Sequence, residues 1–321
     1  MPLLSIAIPA YNYAHYLPQA LASCAGLHPE VEVVVLDNAS TDGTEQLRSR
    51  FEALPNVVWS RNASVLPQQD NFNRCVQMTR GKFVKLLPAD DYLLPGALDR
   101  ILAWLKAAPT AHFHGHLAHV VDSDGSFLRE QRPYTADRSP VPVAPEAAIP
   151  GKLRQFVRFK EPTCNVFSRE AFDAVGGYEN ALRFAFDVQL NMRIASRFPS
   201  VLWSESVVAL RRHVSSVGAR LAPSIGVGDI RALVSEWRER CGDRWAPGDA
   251  RAAKSFLQYR VMELILQRCR RQPAATWALL RQEWRLLIAC DAWPQTFGTL
   301  WRRARHGDVQ RTVATAAQWR T

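Results

Sequence analysis

Polar residues crowd the places where the short apolar runs of this chain end. Pro9-Ala10-Tyr11-Asn12 follows the run Leu4 to Ile8, Asp37-Asn38-Ala39-Ser40-Thr41-Asp42-Gly43-Thr44 follows Val31 to Leu36, and Pro88-Ala89-Asp90-Asp91 follows Phe83 to Leu87. If those runs are parallel strands, all three segments meet at one sheet edge, where open α/β sheets bind ligands. Carboxylates crowded there repel one another, which is tolerable when a divalent cation and a hydrogen-bonding ligand neutralise them. Any single Asp, Asp42 or Asp90 for instance, is as well explained as a helix cap worth about 0.5–2 kcal/mol. The set is not. Another cluster, His112, His114 and His116 on one strand face with His119 nearby, lacks an interleaved Cys or carboxylate, so core packing is expected rather than a zinc site.

The elements that must position these groups follow from periodicity. The four apolar runs, Val57 to Ser60 being the third, alternate with helix-length amphipathic stretches, the pattern of βαβ units. One helix is predicted from about Tyr16 to Ala25. A second starts at Ser40 to Asp42, where Asp42 and Glu45 have capping-box spacing, and a third ends near Arg80 before Gly81. A fourth follows Pro95 and carries Leu98, Ile101, Leu102 and Leu105 on one face. Residues 111–130 then read as a hairpin turning at Asp122 to Gly125, which makes the sheet mixed. Pro133 to Pro150 reads as a long surface loop. A helix near Gly151 to Phe159, a strand Thr163 to Phe167, a Gly176-Gly177 turn, a helix from Asp187 and a strand Val201 to Leu210 complete a domain of residues 1–225.

These motifs together resemble family 2 glycosyltransferases of the GT-A fold, over about residues 3 to 217. Ile6 to Asn12 looks like the opening strand and nucleotide loop, Val35 to Thr44 like the second motif, and Asp90-Asp91 like the acidic metal motif. Gly176-Gly177-Tyr178-Glu179 and Phe186 to Arg193 look like the glycine turn and the acidic motif that comes after it. Arg211-Arg212-His213 with Ser216 looks like the loop whose histidine reaches metal or diphosphate. The resemblance implies an α/β GT-A sheet, mixed but mainly parallel and flanked by helices. It implies that Pro9, Tyr11, Asn12 and Asn38 line the nucleotide pocket, and that Asp37 accepts the imide N–H of a uracil-like base. Asp91 is expected to bind Mn²⁺ or Mg²⁺ on the diphosphate with Asp90 beside it. Arg211 or Arg212 would pair with phosphate, and His213 would reach the metal. Asp187 is expected to be the catalytic base of an inverting transfer, with Glu179 the alternative. The donor implied is a nucleotide diphosphate sugar, UDP-linked, and the acceptor a hydroxyl of a glycan, lipid-linked saccharide or protein. Bacterial surface polysaccharide or glycoconjugate synthesis is the expected setting.

Composition bounds the rest. Hydrophobic residues make up 47% and charged residues 22% of 321 positions, as in an ordinary globular protein. The six cysteines form no CxxC pair, and no apolar run reaches about 18 residues or reads as a leader, so a cytoplasmic protein is expected. Of the +10 net charge, about +8 lies beyond residue 228, in a helical, Trp-rich appendage over residues 226–321. In Thr276 to Trp293, Trp277, Leu280, Trp284, Leu287 and Ile288 share a stripe. That stripe suits packing on the protein itself or in a homo-oligomer, or peripheral contact with anionic lipid at the inner membrane face. Two other functions compete: a sugar nucleotidyltransferase, which would need a Gly-rich basic loop where Pro9 to Asn12 stands, and a non-catalytic lipid or nucleic-acid binder using the tail. No nucleic-acid partner is expected, because an acidic edge repels phosphate in the absence of a metal.

Overall fold

The computed structural model describes residues 1–26, 28–131, 139–145, 161–213, 216, 221 and 223–244, with isolated helical positions at 274, 277, 278 and 281. The chain forms two compact units, Met1–Arg220 and Leu221–Thr321. In the first unit a ten-stranded mixed sheet carries the architecture. Its strands are β1 (Leu4–Ala10), β2 (Val31–Asp37), β3 (Val57–Arg61), β4 (Phe83–Leu86), β5 (Tyr92–Leu93), β6 (Phe113–Val121), β7 (Phe127–Glu130), β8 (Val141–Val143), β9 (Asn165–Ser168) and β10 (Ser200–Arg211). They lie in the order β3-β2-β1-β4-β9-β6-β10-β5, with β7 on β6 and β8 on β10.

Strands β1 to β4 pair in parallel, Ile6 opposite both Val33 and Lys85, so their carboxyl ends share one edge. Every residue of β1, β2 and β4 is buried, which explains their near-continuous apolar runs: helices cover both faces of a parallel sheet. On one face Leu17 and Leu21 of α1 (Leu17–Ala22) and Leu98, Ile101, Leu102 and Leu105 of α4 (Ala97–Ala107) join the core with Ile6, Ile8, Val33 and Val35. The predicted second helix is a 3-10 turn, Glu45–Leu47, running into the single turn α2 (Arg48–Phe51). Its expected capping box does not form. The Asp42 carboxylate instead accepts the Thr44 amide and hydroxyl, at 3.1 and 2.6 Å, and the Ala14 amide at 2.9 Å, which stitches the first two loops together.

Helix α3 (Gln68–Gln77) follows β3; α5 (Arg169–Val175) and α6 (Phe186–Ala195) follow β9. Strand β9 runs antiparallel to both β4 and β6, and β6 is parallel to β10, which makes the sheet mixed as expected. Within the segment read as a surface loop, Val141 to Val143 pairs with the free edge of β10, where Pro142 is tolerated. The helix expected near Gly151 to Phe159 and most of the stripe from Thr276 to Trp293 lie outside the described residues. In the second unit, α7 (Pro223–Cys241) buries Val227, Ile230, Leu233, Trp237 and Cys241, a helical stripe. Among the described residues no helix is long and apolar enough to cross a membrane.

Candidate active site

Two loops at the carboxyl edge are locked to each other by backbone bends that most residues avoid. Asn12 and Ala39 hold φ of 55° and 56°, a left-handed conformation costing roughly 1 kcal/mol for a residue with a Cβ. The bends bring the Asn12 amide to Ser40 Oγ at 2.9 Å and the Thr41 amide to Asn12 Oδ1 at 2.8 Å. Pro9 is buried at the end of β1, and the ring of Tyr11 is exposed beside it. Asp37 is fully buried. One of its oxygens accepts the Ser40 amide at 3.0 Å and the other the guanidinium of Arg61, which also donates to the Ser40 carbonyl at 2.9 Å. Asn38 Oδ1 accepts the Leu66 amide and Asn62 Nδ2, at 2.9 and 2.8 Å, and Asn62 Nδ2 also donates to Asn71 Oδ1 at 2.9 Å.

Arg61, Asn62 and Asn71 are not among the residues expected from sequence. The first two stand at the carboxyl end of β3 as Asp37 and Asn38 stand at that of β2, so their position beside a strand end was a usable signal.

The two acids after β4 face different partners. Asp90 Oδ2 lies 2.9 Å from His213 Nε2, whose ring is 4% exposed and contacts Tyr13 and Tyr16. Asp91 turns inward: it is buried, and its Oδ1 accepts the Arg211 amide at 2.8 Å. Burial first and the neighbouring Asp90 second hold the Asp91 carboxyl well above the usual carboxylate range. Asp90 is therefore the carboxylate that faces the histidine, while Asp91, the expected metal ligand, faces the Arg211 amide.

Arg211, expected to pair with phosphate, has its guanidinium engaged within the protein. Its guanidinium donates to the carbonyls of Asp90, Asp122 and Ser123 and to Gln19 Oε1, between 2.6 and 3.2 Å, and it stacks over Tyr16 and Tyr92. A buried guanidinium with four protein acceptors is an internal strut. Its neighbour Arg212 is half-exposed and pairs with Glu161 at 2.6 Å.

Asp90 and His213 offer one carboxylate oxygen and one imidazole nitrogen. Their 2.9 Å separation is close to that of adjacent ligands on an octahedral divalent ion with bonds of about 2.1 Å. The residues fit such an ion. Among the described residues no group of three or more His, Cys, Asp and Glu side chains could hold a metal. His114 and His116 of β6 are core groups, as expected: His114 bonds Trp203 and the Ala111 carbonyl, and His116 bonds Lys85, while His119 is partly exposed beside Glu130.

Asp187 stands in the first turn of α6, where the helix dipole favours a negative charge. The cap position is Ala185, so Asp187 is not the capping residue; its Oδ1 accepts the adjacent Val188 amide at 2.7 Å. Glu179, the alternative base, is engaged elsewhere, pairing with Arg193 at 2.7 Å and Gln189 Nε2 at 3.1 Å. The segment leading to Asp187 is hydrogen-bonded to the first turns of α3, which begins after the carboxyl end of β3. That contact ties the stretch before Asp187 to the helix that follows β3.

The family model described as "Glycosyl transferase family 2" matches residues 5–176 of this chain. The abequosyltransferase RfbV of Salmonella typhimurium is 31% identical over 110 residues, 33% of either chain. Across curated relatives the matched stretch spans from 19% to 68% of their length. In fold, the chain resembles Staphylococcus aureus TarS 1–349 in complex with UDP-GlcNAc, with a TM-score of 0.62, 17% identity, and coverage of 93% of this chain and 79% of that one. It also resembles a mannosyltransferase of Pyrobaculum calidifontis in complex with GDP-Man and Mn²⁺, with a TM-score of 0.56, 19% identity, and coverage of 92% and 83%. The GT-A fold expected from the sequence is thus observed.

Proposed function

The chain belongs to glycosyl transferase family 2, and from that premise we propose that it is an inverting transferase moving a sugar from a nucleotide diphosphate to an acceptor hydroxyl. The observation that carries the reading is the meeting of Asp90 with His213 after β4, beside the parallel strands whose β2 ends at Asp37. Asp37, the residue the resemblance assigns to the imide of uracil, would have to turn an oxygen from Arg61 or Ser40 to the base, and on that assignment UDP is the proposed nucleotide. Asn12 and Asn38 shape the walls of that pocket, with Tyr11 at its rim. Asp90 and His213 are the proposed ligands of a divalent ion, Mn²⁺ or Mg²⁺, which when bound supplies Lewis-acid stabilisation of the departing diphosphate worth several kcal/mol.

Asp187 takes the proton of the acceptor hydroxyl as its oxygen attacks the anomeric carbon. The bond to the diphosphate oxygen breaks on the opposite face, and configuration inverts. Asp91 and Arg211 hold the backbone on which Asp90 and His213 sit. Glycan, lipid-linked saccharide or protein acceptors are the proposed partners, in surface polysaccharide or glycoconjugate synthesis. The names of relatives support this setting: RfbV, and a putative teichuronic acid biosynthesis glycosyltransferase of Bacillus subtilis that is 26% identical over 133 residues. The basic tail is proposed to meet anionic lipid, where a lipid-linked acceptor presents its sugar.

A thermal-shift screen of nucleotides and nucleotide sugars with and without Mn²⁺ tests the reading. Stabilisation by UDP and a UDP-sugar that requires the metal is expected. Stabilisation by another base overturns the choice of uridine, and indifference to every nucleotide diphosphate overturns the donor class.

A further inference from the structure

Helix α3 carries a ridge of amides that takes no part in the proposed chemistry. Asn73 grips residue 178 twice: its Nδ2 donates to the Tyr178 carbonyl and its Oδ1 accepts the Tyr178 amide, both at 2.8 Å. One turn earlier, Gln69 Nε2 donates to the Leu182 carbonyl at 2.6 Å, and Asp70 accepts from Asn180 at 2.7 Å. Gln69 and Asn73 are i and i+4, hence on one helix face. Four hydrogen bonds from one short helix to a five-residue stretch more than a hundred positions away are a directed fastening.

The seat is shaped for this contact. Gly177 has φ of +70°, and a Cβ there would stand 2.7 Å from Asn73 Oδ1 and 2.9 Å from the Phe172 ring, so no other residue admits the grip. Beneath it the rings of Phe72, Tyr178 and Phe186 meet edge to face at 5.6–5.9 Å. Phe186 immediately precedes Asp187. Burial, and after it the Asp187 charge, hold the Tyr178 hydroxyl above the usual phenol range, so carboxylate and ring are neighbours. At its other side α3 carries Asn71, which accepts from the Asn62 amide that also reaches Asn38 beside Asp37. One rigid helix therefore touches both the wall of the nucleotide pocket and the approach to Asp187.

We propose that Asn73 and Gln69 are positioning residues: they fix the 178–187 segment, and with it the carboxylate of Asp187, relative to the nucleotide loop. The proposal rests on the reading of Asp187 as base, and the experiment separates the two. In the full chain, Asn73→Ala should speed amide hydrogen exchange of peptides covering residues 178–188 at least tenfold and leave peptides of β1 and residues 37–42 unchanged. With Mn²⁺ and UDP-GlcNAc or GDP-Man, whichever binds, water takes the place of the acceptor. Release of the nucleoside diphosphate should fall at least tenfold, while donor affinity by calorimetry stays within twofold. In the Asp187→Asn background the same substitution should cost nothing further, because a residue acting through a partner has no effect once the partner is gone. Gln69→Ala and Asn73→Asp, which keeps the acceptor for the Tyr178 amide, should give smaller shifts of the same kind and serve if Asn73→Ala does not fold. Unchanged exchange over 178–188, or an equal loss of turnover in the Asp187→Asn background, overturns the proposal. Normal turnover of Asp187→Asn alone overturns the base assignment instead, and the exchange result then stands by itself as the measure of the fastening.

Discussion

Asp90 Oδ2 and His213 Nε2 lie 2.9 Å apart across 123 positions of sequence, while Asp91, next to Asp90 in the chain, turns to the Arg211 amide. A turn after β4 sends adjacent carboxylates in different directions, one toward His213 and one toward the Arg211 backbone. The two are therefore not equivalent under substitution.

Asp90→Ala should weaken Mn²⁺-dependent UDP binding at least tenfold by calorimetry, since it removes one of two proposed protein ligands. Asp91→Asn keeps an oxygen for the Arg211 amide and should leave that affinity within about threefold. The reverse pattern would return the metal to Asp91.

Asp187→Asn preserves shape and the hydrogen bond to Val188 but cannot accept a proton. Turnover should fall by roughly 10²–10⁴, the usual contribution of a positioned base. Binding of nucleotide and metal should stay within twofold. Normal turnover would remove Asp187 from the mechanism.

Arg211→Lys retains the charge and loses the fork that reaches four acceptors on three segments. An ammonium has only three donors on a point charge, so at least one buried carbonyl is left bare, and a loss of about 2–4 kcal/mol is expected. Calorimetric melting should show a clear drop in Tm. An unchanged Tm with a raised donor KM would instead mark Arg211 as a phosphate ligand.

How far the residues announced this arrangement depends on what each was reporting. Strands β1, β2 and β4 were legible because burial on both faces demands unbroken apolar runs, and their parallel order put Asp37 and Asp90 at one edge. Tyr92–Leu93 and Val141–Val143 carry no readable period: they are strands because β10 offers a free edge, which is a tertiary fact. Which of two adjacent aspartates faces outward depends on a turn, and the guanidinium of Arg211 finds its acceptors on α1 and the β6–β7 hairpin, far away in sequence. The α3 grip on Tyr178 was hidden for the same reason, since Asn73 on an amphipathic helix reads as a solvated polar position.

Lys85 was equally silent, a single charge in the run Phe83 to Leu87. It is fully buried on β4, and its Nζ lies 2.8 Å from His116 Nε2 and 2.6 Å from the Thr163 carbonyl. Burial pulls its pKa from an ordinary 10.5 down to about 7, while the same burial keeps His116 neutral to well below its usual range. Between about pH 7 and the ordinary lysine value, the unfolded chain therefore binds a proton that the native protein has lost. Stability contributed by this group rises with pH across that window, and below it the cost of a buried ammonium is fully present. The gain should be roughly 1–3 kcal/mol between about pH 7 and about pH 9.5, a fraction of the upper bound set by 1.36 kcal/mol per unit. Lys85→Met removes the titration, although it strands the Thr163 carbonyl and lowers stability overall. The difference in unfolding free energy between wild type and Lys85→Met, followed by denaturant titration at both pH values, should widen toward the alkaline side. Parallel pH profiles for the two proteins would mean that the lysine keeps its proton in the fold.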